Sequence, residues 1–104
     1  MAPSGMTSTA LGSIDLGPDV PGFELDLRVL VIPPGAANGM HSHARRPGFG
    51  YVLKGTLTGQ RAGDVVTECG PGTVIVESQD VTHSVVNRGT STVELLATHV
   101  SKKR

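Results

Sequence analysis

The stretch GAANGMHSHARRPGFGYVLKG, residues 35–55, decides how this chain is read. His41 and His43 stand two apart, so on an extended strand both side chains leave the same face. A strand uses that spacing to present two imidazoles to one metal. Met40 then faces away. Pro47-Gly48 and Lys54-Gly55 are turn signals, and residues 51–53 between them have strand length. If Gly48 points inward, alternation turns Gly50 and Val52 inward and Phe49 and Tyr51 outward.

The same rhythm of short strands and tight turns continues on both sides. Upstream, Phe23, Leu25, Leu27, Val29 and Val31 alternate with Glu24, Asp26 and Arg28, a period-two strand pattern that Pro33-Pro34-Gly35 stops. Downstream, turns recur at Gly63-Asp64, Gly70-Pro71-Gly72, Gln79-Asp80 and Asn87-Arg88-Gly89. Residues 56–58, 65–68, 73–77, 83–86 and 93–100 lie between turns and are rich in Val, Thr and Leu. No segment carries a helical stripe with caps, and no internal repeat stands out. Evenly spaced strands with Gly/Pro turns predict an all-β sandwich or barrel.

With 104 residues the chain is one domain. We divide it into an N-terminal extended arm (1–22), a barrel (23–101) and a basic tail (102–104). The arm is rich in Ser, Thr, Gly and Pro and is expected to be extended or partly disordered, with a short strand docking on the barrel or on a second subunit. The tail, Lys102-Lys103-Arg104, is expected to fray into solvent. Three aromatics and no Trp leave the core to Val, Leu, Ile and Ala, and β-branched residues favour strands.

Nine basic and nine acidic residues balance to zero, which argues against nucleic acid as a partner. The single Cys69 excludes an intrachain disulfide and suits a reducing cytoplasm; its default role is that of a small buried hydrophobe. Residues 1–10 lack a basic start followed by an apolar run, so no signal peptide is expected, and no apolar stretch approaches bilayer-spanning length. A small barrel with edge strands and an apolar arm has reason to pair, and a homodimer is expected.

A lone His-x-His is commonly a pair of surface histidines. Here the pair sits in a wider pattern: Gly35, five residues, His41, one residue, His43, and Gly55 beyond a strand. A second set follows, Gly72, ten residues, His83, three residues, Asn87. These seven positions resemble the two motifs of the cupin superfamily, in particular small single-domain cupins of the cupin-2 conserved-barrel type. The resemblance implies a cupin jelly-roll β-barrel with metal ligands at His41, His43 and His83, and a structural Asn87 bonded to backbone near its turn. His99, far from both motifs, is expected at the surface or an interface.

The chain departs from the pattern in three places. Ser78 and Asp80 stand where the second motif has Pro and Gly, and Gly48 stands where the first has its ligand Glu. Three neutral ligands would leave an open, electropositive site that favours anions. Among carboxylates that could substitute, Asp80 is preferred over Glu68 and Glu77, although a turn role suits it better. Gln60 is a further candidate to point inward. Arg45 and Arg46, in the loop after His43, could clamp an anionic substrate.

The expected function is a metalloenzyme acting on a small anionic, chelating substrate, resembling three-histidine dioxygenases. It would use one divalent transition metal, iron first and Zn, Ni, Mn or Cu as alternatives. A non-catalytic sensor or accessory cupin, and a Lewis-acid isomerase or lyase, are the competing readings.

Overall fold

The computed structural model describes residues 5–62 and 65–103. Within them the chain forms nine strands: β1 (Thr7–Asp15), β2 (Phe23–Ile32), β3 (Ala37–Ser42), β4 (Gly48–Lys54), β5 (Leu57–Arg61), β6 (Val65–Cys69), β7 (Val74–Glu77), β8 (Thr82–Val86) and β9 (Val93–Lys102). A five-stranded sheet, β1-β2-β9-β4-β7, pairs with a four-stranded sheet, β3-β8-β5-β6. Every pairing is antiparallel. The all-β expectation holds. Among the described residues no helix is long and apolar enough to cross a membrane.

The described parts of the arm and the tail are better tied than their composition suggests. Nine residues of the arm form strand β1, bonded to β2 from Thr7–Val31 to Asp15–Glu24 with a bulge near Leu11. At the other end Lys102 still pairs with Phe23. The Lys103 amide donates to the Gly22 carbonyl at 2.8 Å, and its ammonium meets the Asp15 carboxylate. Lys102 and Lys103 therefore do not fray. Arg104 and the Gly63-Asp64 turn lie outside the described residues.

The core occupies one end of the sandwich. Ile32, Val52, Leu57 and Val93 are fully buried, with Ala36, Cys69 and Leu95 packed beside them. Each such aliphatic side chain contributes about 1.5–3 kcal/mol. Asn87 closes this end. It is completely buried; its amide donates to the carbonyls of Ile32 and Ser91, both at 2.8 Å, and its Oδ1 accepts from the Gly89 amide at 2.9 Å. The backbone expectation for Asn87 is met. Gly35, in the turn before β3, has φ +84°, a left-handed conformation that glycine adopts without strain.

The opposite end opens into a cavity of about 1000 Å³ between the sheets. The inner face of β2 supplies Glu24, Asp26 and Arg28 to it, and β1 supplies Ser8. Phe49, Tyr51 and Met40 turn outward as alternation requires, while Gly50 and Val52 are buried.

Candidate metal centre

His41 on β3 and His83 on β8 are direct cross-strand partners. A one-residue bulge in β3 between Asn38 and His41 sets the parity that turns both into the cavity. His43 lies just beyond β3, where its amide donates to the Val81 carbonyl at 2.9 Å and keeps it on the same face as His41. The three rings meet edge to face, with centroids 4.7–4.9 Å apart.

The ring nitrogens converge. His43 Nε2 lies 3.2 Å from His41 Nε2 and 2.9 Å from His83 Nε2. The far nitrogens of two rings are committed elsewhere: His41 Nδ1 donates to the Gly39 carbonyl at 2.7 Å, and His43 Nδ1 donates to the Arg46 carbonyl at 3.0 Å. Those bonds select the tautomer whose Nε2 carries a lone pair rather than a proton.

The fourth member is Glu77, at the end of β7. Its Oε2 stands 2.9 Å from His43 Nε2 and 3.1 Å from His83 Nε2. His41, His43, Glu77 and His83 thus offer four donor atoms within 4.8 Å of one another, a group that could hold a metal ion. Two of these atoms are imidazole nitrogens left free to accept by the Gly39 and Arg46 carbonyls, and with the Glu77 carboxylate they favour a cation among them. Their spacing also suits neighbouring ligands around a metal about 2.0–2.1 Å from each. The residues present therefore fit a transition metal.

The position of Glu77 corrects the expectation that the missing carboxylate leaves a neutral site or is replaced by Asp80. Gly48 on β4 is the cross-strand partner of Glu77 on one side and of His99 on the other. His99 in turn pairs with Asp26 on β2. One transverse row, Asp26–His99–Gly48–Glu77, therefore crosses the inner face of the large sheet. Because Gly48 has no side chain, His99 Nε2 reaches over it to Glu77 Oε1 at 2.8 Å. The carboxylate beside the histidines is thus offered from β7, one strand over from Gly48.

His99 is buried and lies in the cavity, its ring stacked 5.3 Å from that of His43, contrary to the surface position expected. A signal for this was present. Val93, Leu95, Ala97 and His99 share one parity, and the first two are core residues. Asp26 Oδ1 and His99 Nδ1 are buried with no hydrogen-bond partner among the described residues.

Asp80 is exposed and accepts a bond from the Ser78 hydroxyl at 2.6 Å within the turn before β8. That is a turn role, away from the cluster. Glu68 is likewise remote, accepting from Thr58 Oγ1 at 3.1 Å. Gln60 pairs with Ser84 and Val66, one residue out of phase with Arg61, the partner of His83. Alternation therefore turns it to the opposite face from the histidines. Arg45 and Arg46 line the cavity with exposed side chains, and the Arg46 carbonyl positions His43.

Burial lowers the pKa of His43, against the opposing pull of the Arg46 carbonyl and the Glu77 charge. For Glu77 burial acts upward, but the bonds from His83 and His99 outweigh it and hold the carboxyl at about 2. The site thus rests with an ionised carboxylate.

The family described as Cupin domain matches residues 28–99. No curated protein matches the chain. Among solved structures, the cupin domain of Schizosaccharomyces pombe Cnp3 is similar with a TM-score of 0.76 at 17% identity, over 98% of this chain and 65% of that one. The TT1209 protein of Thermus thermophilus gives 0.73 at 17% identity, over 95% and 85%. A predicted oxalate decarboxylase from Thermotoga maritima gives 0.66 at 21% identity, over 89% and 92%. At these identities the likeness is one of fold.

Proposed function

The chain belongs to the cupin domain family, and on that premise we propose that it is a metal-dependent enzyme of small anionic, chelating substrates. One divalent transition metal would be held by His41, His43, His83 and Glu77. The observation that carries this reading is the convergence of four donor atoms, two of whose rings are oriented by backbone carbonyls. When bound, such a metal supplies Lewis acidity or, if it is iron, one-electron chemistry.

The chain's own groups suit an anion. Three neutral imidazoles and one carboxylate leave a divalent ion with about one unit of positive charge, so the site stays attractive to a carboxylate or enolate without being as electropositive as a neutral-ligand site. Arg28 sits in the cavity wall, held by Ser8 Oγ at 2.9 Å, and Arg45 and Arg46 stand at the rim. Guanidinium groups bind carboxylates through paired hydrogen bonds. A cavity of about 1000 Å³ admits a small organic acid together with water.

Metal analysis of the purified chain tests the first half of the proposal. One equivalent of a transition metal is expected, and it should be lost in His43→Ala. Absence of stoichiometric metal in chain produced with Fe, Zn, Ni, Mn and Cu in turn would end this reading. The second half is tested by presenting metal-loaded protein with β-diketones, thiols and enolisable acids, following O₂ uptake under air and substrate loss without air. Uptake marks the oxygenase chemistry, and anaerobic conversion marks the Lewis-acid chemistry. Metal and ligand binding with neither would make the protein a binding module.

A further inference from the structure

Gly59 stands in the middle of β5. A glycine inside a strand weakens it, and it commonly marks a bulge, a close backbone approach or a site that a ligand enters. There is no bulge, because β5 keeps unbroken register with β6 on one side and β8 on the other. Nor is there a close approach. A Cβ at position 59 would meet only the Thr67 carbonyl oxygen, at an ordinary 3.8 Å. The glycine leaves room for something else.

That room is a pocket of about 150 Å³. Gly59 pairs with Val85 and Thr67, so the three share the inner face of the small sheet. Ile75 lines the pocket from β7 of the large sheet, and Leu57 and Cys69 line it from the core end. β6 ends the small sheet and β7 ends the large one, with no ladder between them among the described residues. The pocket therefore lies at an open edge of the sandwich. Arg61 bridges that edge, its guanidinium donating to the Val76 carbonyl at 3.3 Å. His83, Ile75 and Val85 line this pocket and the large cavity alike, so the two spaces meet at a candidate metal ligand.

The two spaces differ in polarity. Charged side chains of β2 and of the Arg45-Arg46 loop line the large cavity, whereas no carboxylate among the described residues lines the pocket. An apolar cavity of about 150 Å³ stays dry and takes up xenon or benzene. We propose that the pocket binds a small apolar molecule of dioxygen's kind and passes it to the metal centre beside His83, while the anionic substrate enters by the large cavity. Uncharged diatomics leave water readily for apolar surroundings. A separate entrance also keeps them from competing with an anion for one mouth. Binding in the pocket is independent of the metal. Delivery rests on the iron reading given above.

Xenon is the probe for the pocket. In the isotope-labelled chain under xenon pressure, amide resonances should move most around Gly59, Ile75 and Val85. Gly59→Val fills the space with a residue that strands favour, and it should abolish those shifts with the far-ultraviolet spectrum unchanged. Should Gly59→Val not fold, Thr67→Leu fills the same space from β6. Nitric oxide, an uncharged diatomic, is the probe for delivery. With Fe(II)-loaded chain in the absence of air, Gly59→Val should slow its association roughly tenfold. Its equilibrium affinity should stay unchanged, because an entrance governs arrival and departure alike. Arg61→Ala should speed association. No xenon shifts in the parent, or shifts that persist in the filled variant, overturn the pocket. Nitric oxide association unchanged by Gly59→Val overturns delivery. So does hexanoate binding to the metal-loaded chain that Gly59→Val weakens while nitric oxide is unaffected, which would seat a substrate's tail there. A chain that takes up no Fe(II) ends the iron reading and delivery with it, and xenon then decides the pocket alone.

Discussion

A methyl group at position 48 would sit 1.9 Å from the Thr98 carbonyl oxygen and 2.8 Å from the His99 ring. The backbone of β9 cannot yield to it without breaking a ladder. Gly48→Glu, which writes the family's own residue back into the first motif, is therefore expected to damage the site. Stability should fall by about 1–3 kcal/mol or more, and metal affinity should drop, as read from urea midpoints and metal titration. A variant as stable as the parent would refute this account of position 48. Glu77→Gln keeps the shape and removes the charge, and metal affinity should fall at least about tenfold. At this scale the sequence was partly legible. Three histidines could be assigned from spacing, because two motifs place them. Glu77 could not, because its proximity to them depends on the pairing of β4 with β7, which no local pattern encodes.

The row Asp26–His99–Gly48–Glu77 ties β9 to the candidate metal centre. His99 fixes Glu77 Oε1 and so leaves Oε2 for the cluster. His99→Ala should weaken metal binding about 10–100-fold, and His99→Gln, which keeps a donor near Oε1, should recover part of it; calorimetric titration of the two variants checks this. If both bind like the parent, His99 has no positioning role. At the apolar end of the sandwich, Asn87→Ala removes three hydrogen bonds and strands the buried Ile32 carbonyl. A loss of about 3 kcal/mol in chemical denaturation is expected. Strand identities were largely readable here, since Gly and Pro punctuate them. The β3 bulge was not, since it depends on its pairing with β8.

Acid should loosen the whole molecule when no metal is bound. The pKa of Glu77 is lowered from 4.5 to about 2 on folding, so its stabilisation is complete above 4.5 and disappears as pH falls toward 2. The linkage amounts to at most about 3 kcal/mol. His43 acts in the same direction at higher pH. Its folded pKa lies below 6.5, so the unfolded chain takes up the proton first as pH falls through that value. Urea midpoints should therefore decline below about pH 6.5 and more steeply below about 4.5, and Glu77→Gln should flatten the lower limb. Midpoints constant from neutrality to about pH 3.5 would contradict this. The architecture itself was legible, from strand spacing and the two motifs. The outward face of β2 was not, because alternation gives two faces and does not say which one the second sheet covers.

The position of β9 has a consequence for how the chain is made. Val93–Lys102 is the last strand in sequence, yet it lies between β2 and β4 in the large sheet. During synthesis at about 5–20 residues per second, β2 and β4 must wait on the ribosome without their shared neighbour. Until that strand arrives, Val52 and Ile32 lack their partners Leu95 and Val93, and Glu77 lacks His99. The large sheet, and with it the Glu77–His99 bond, therefore closes only once β9 has been made.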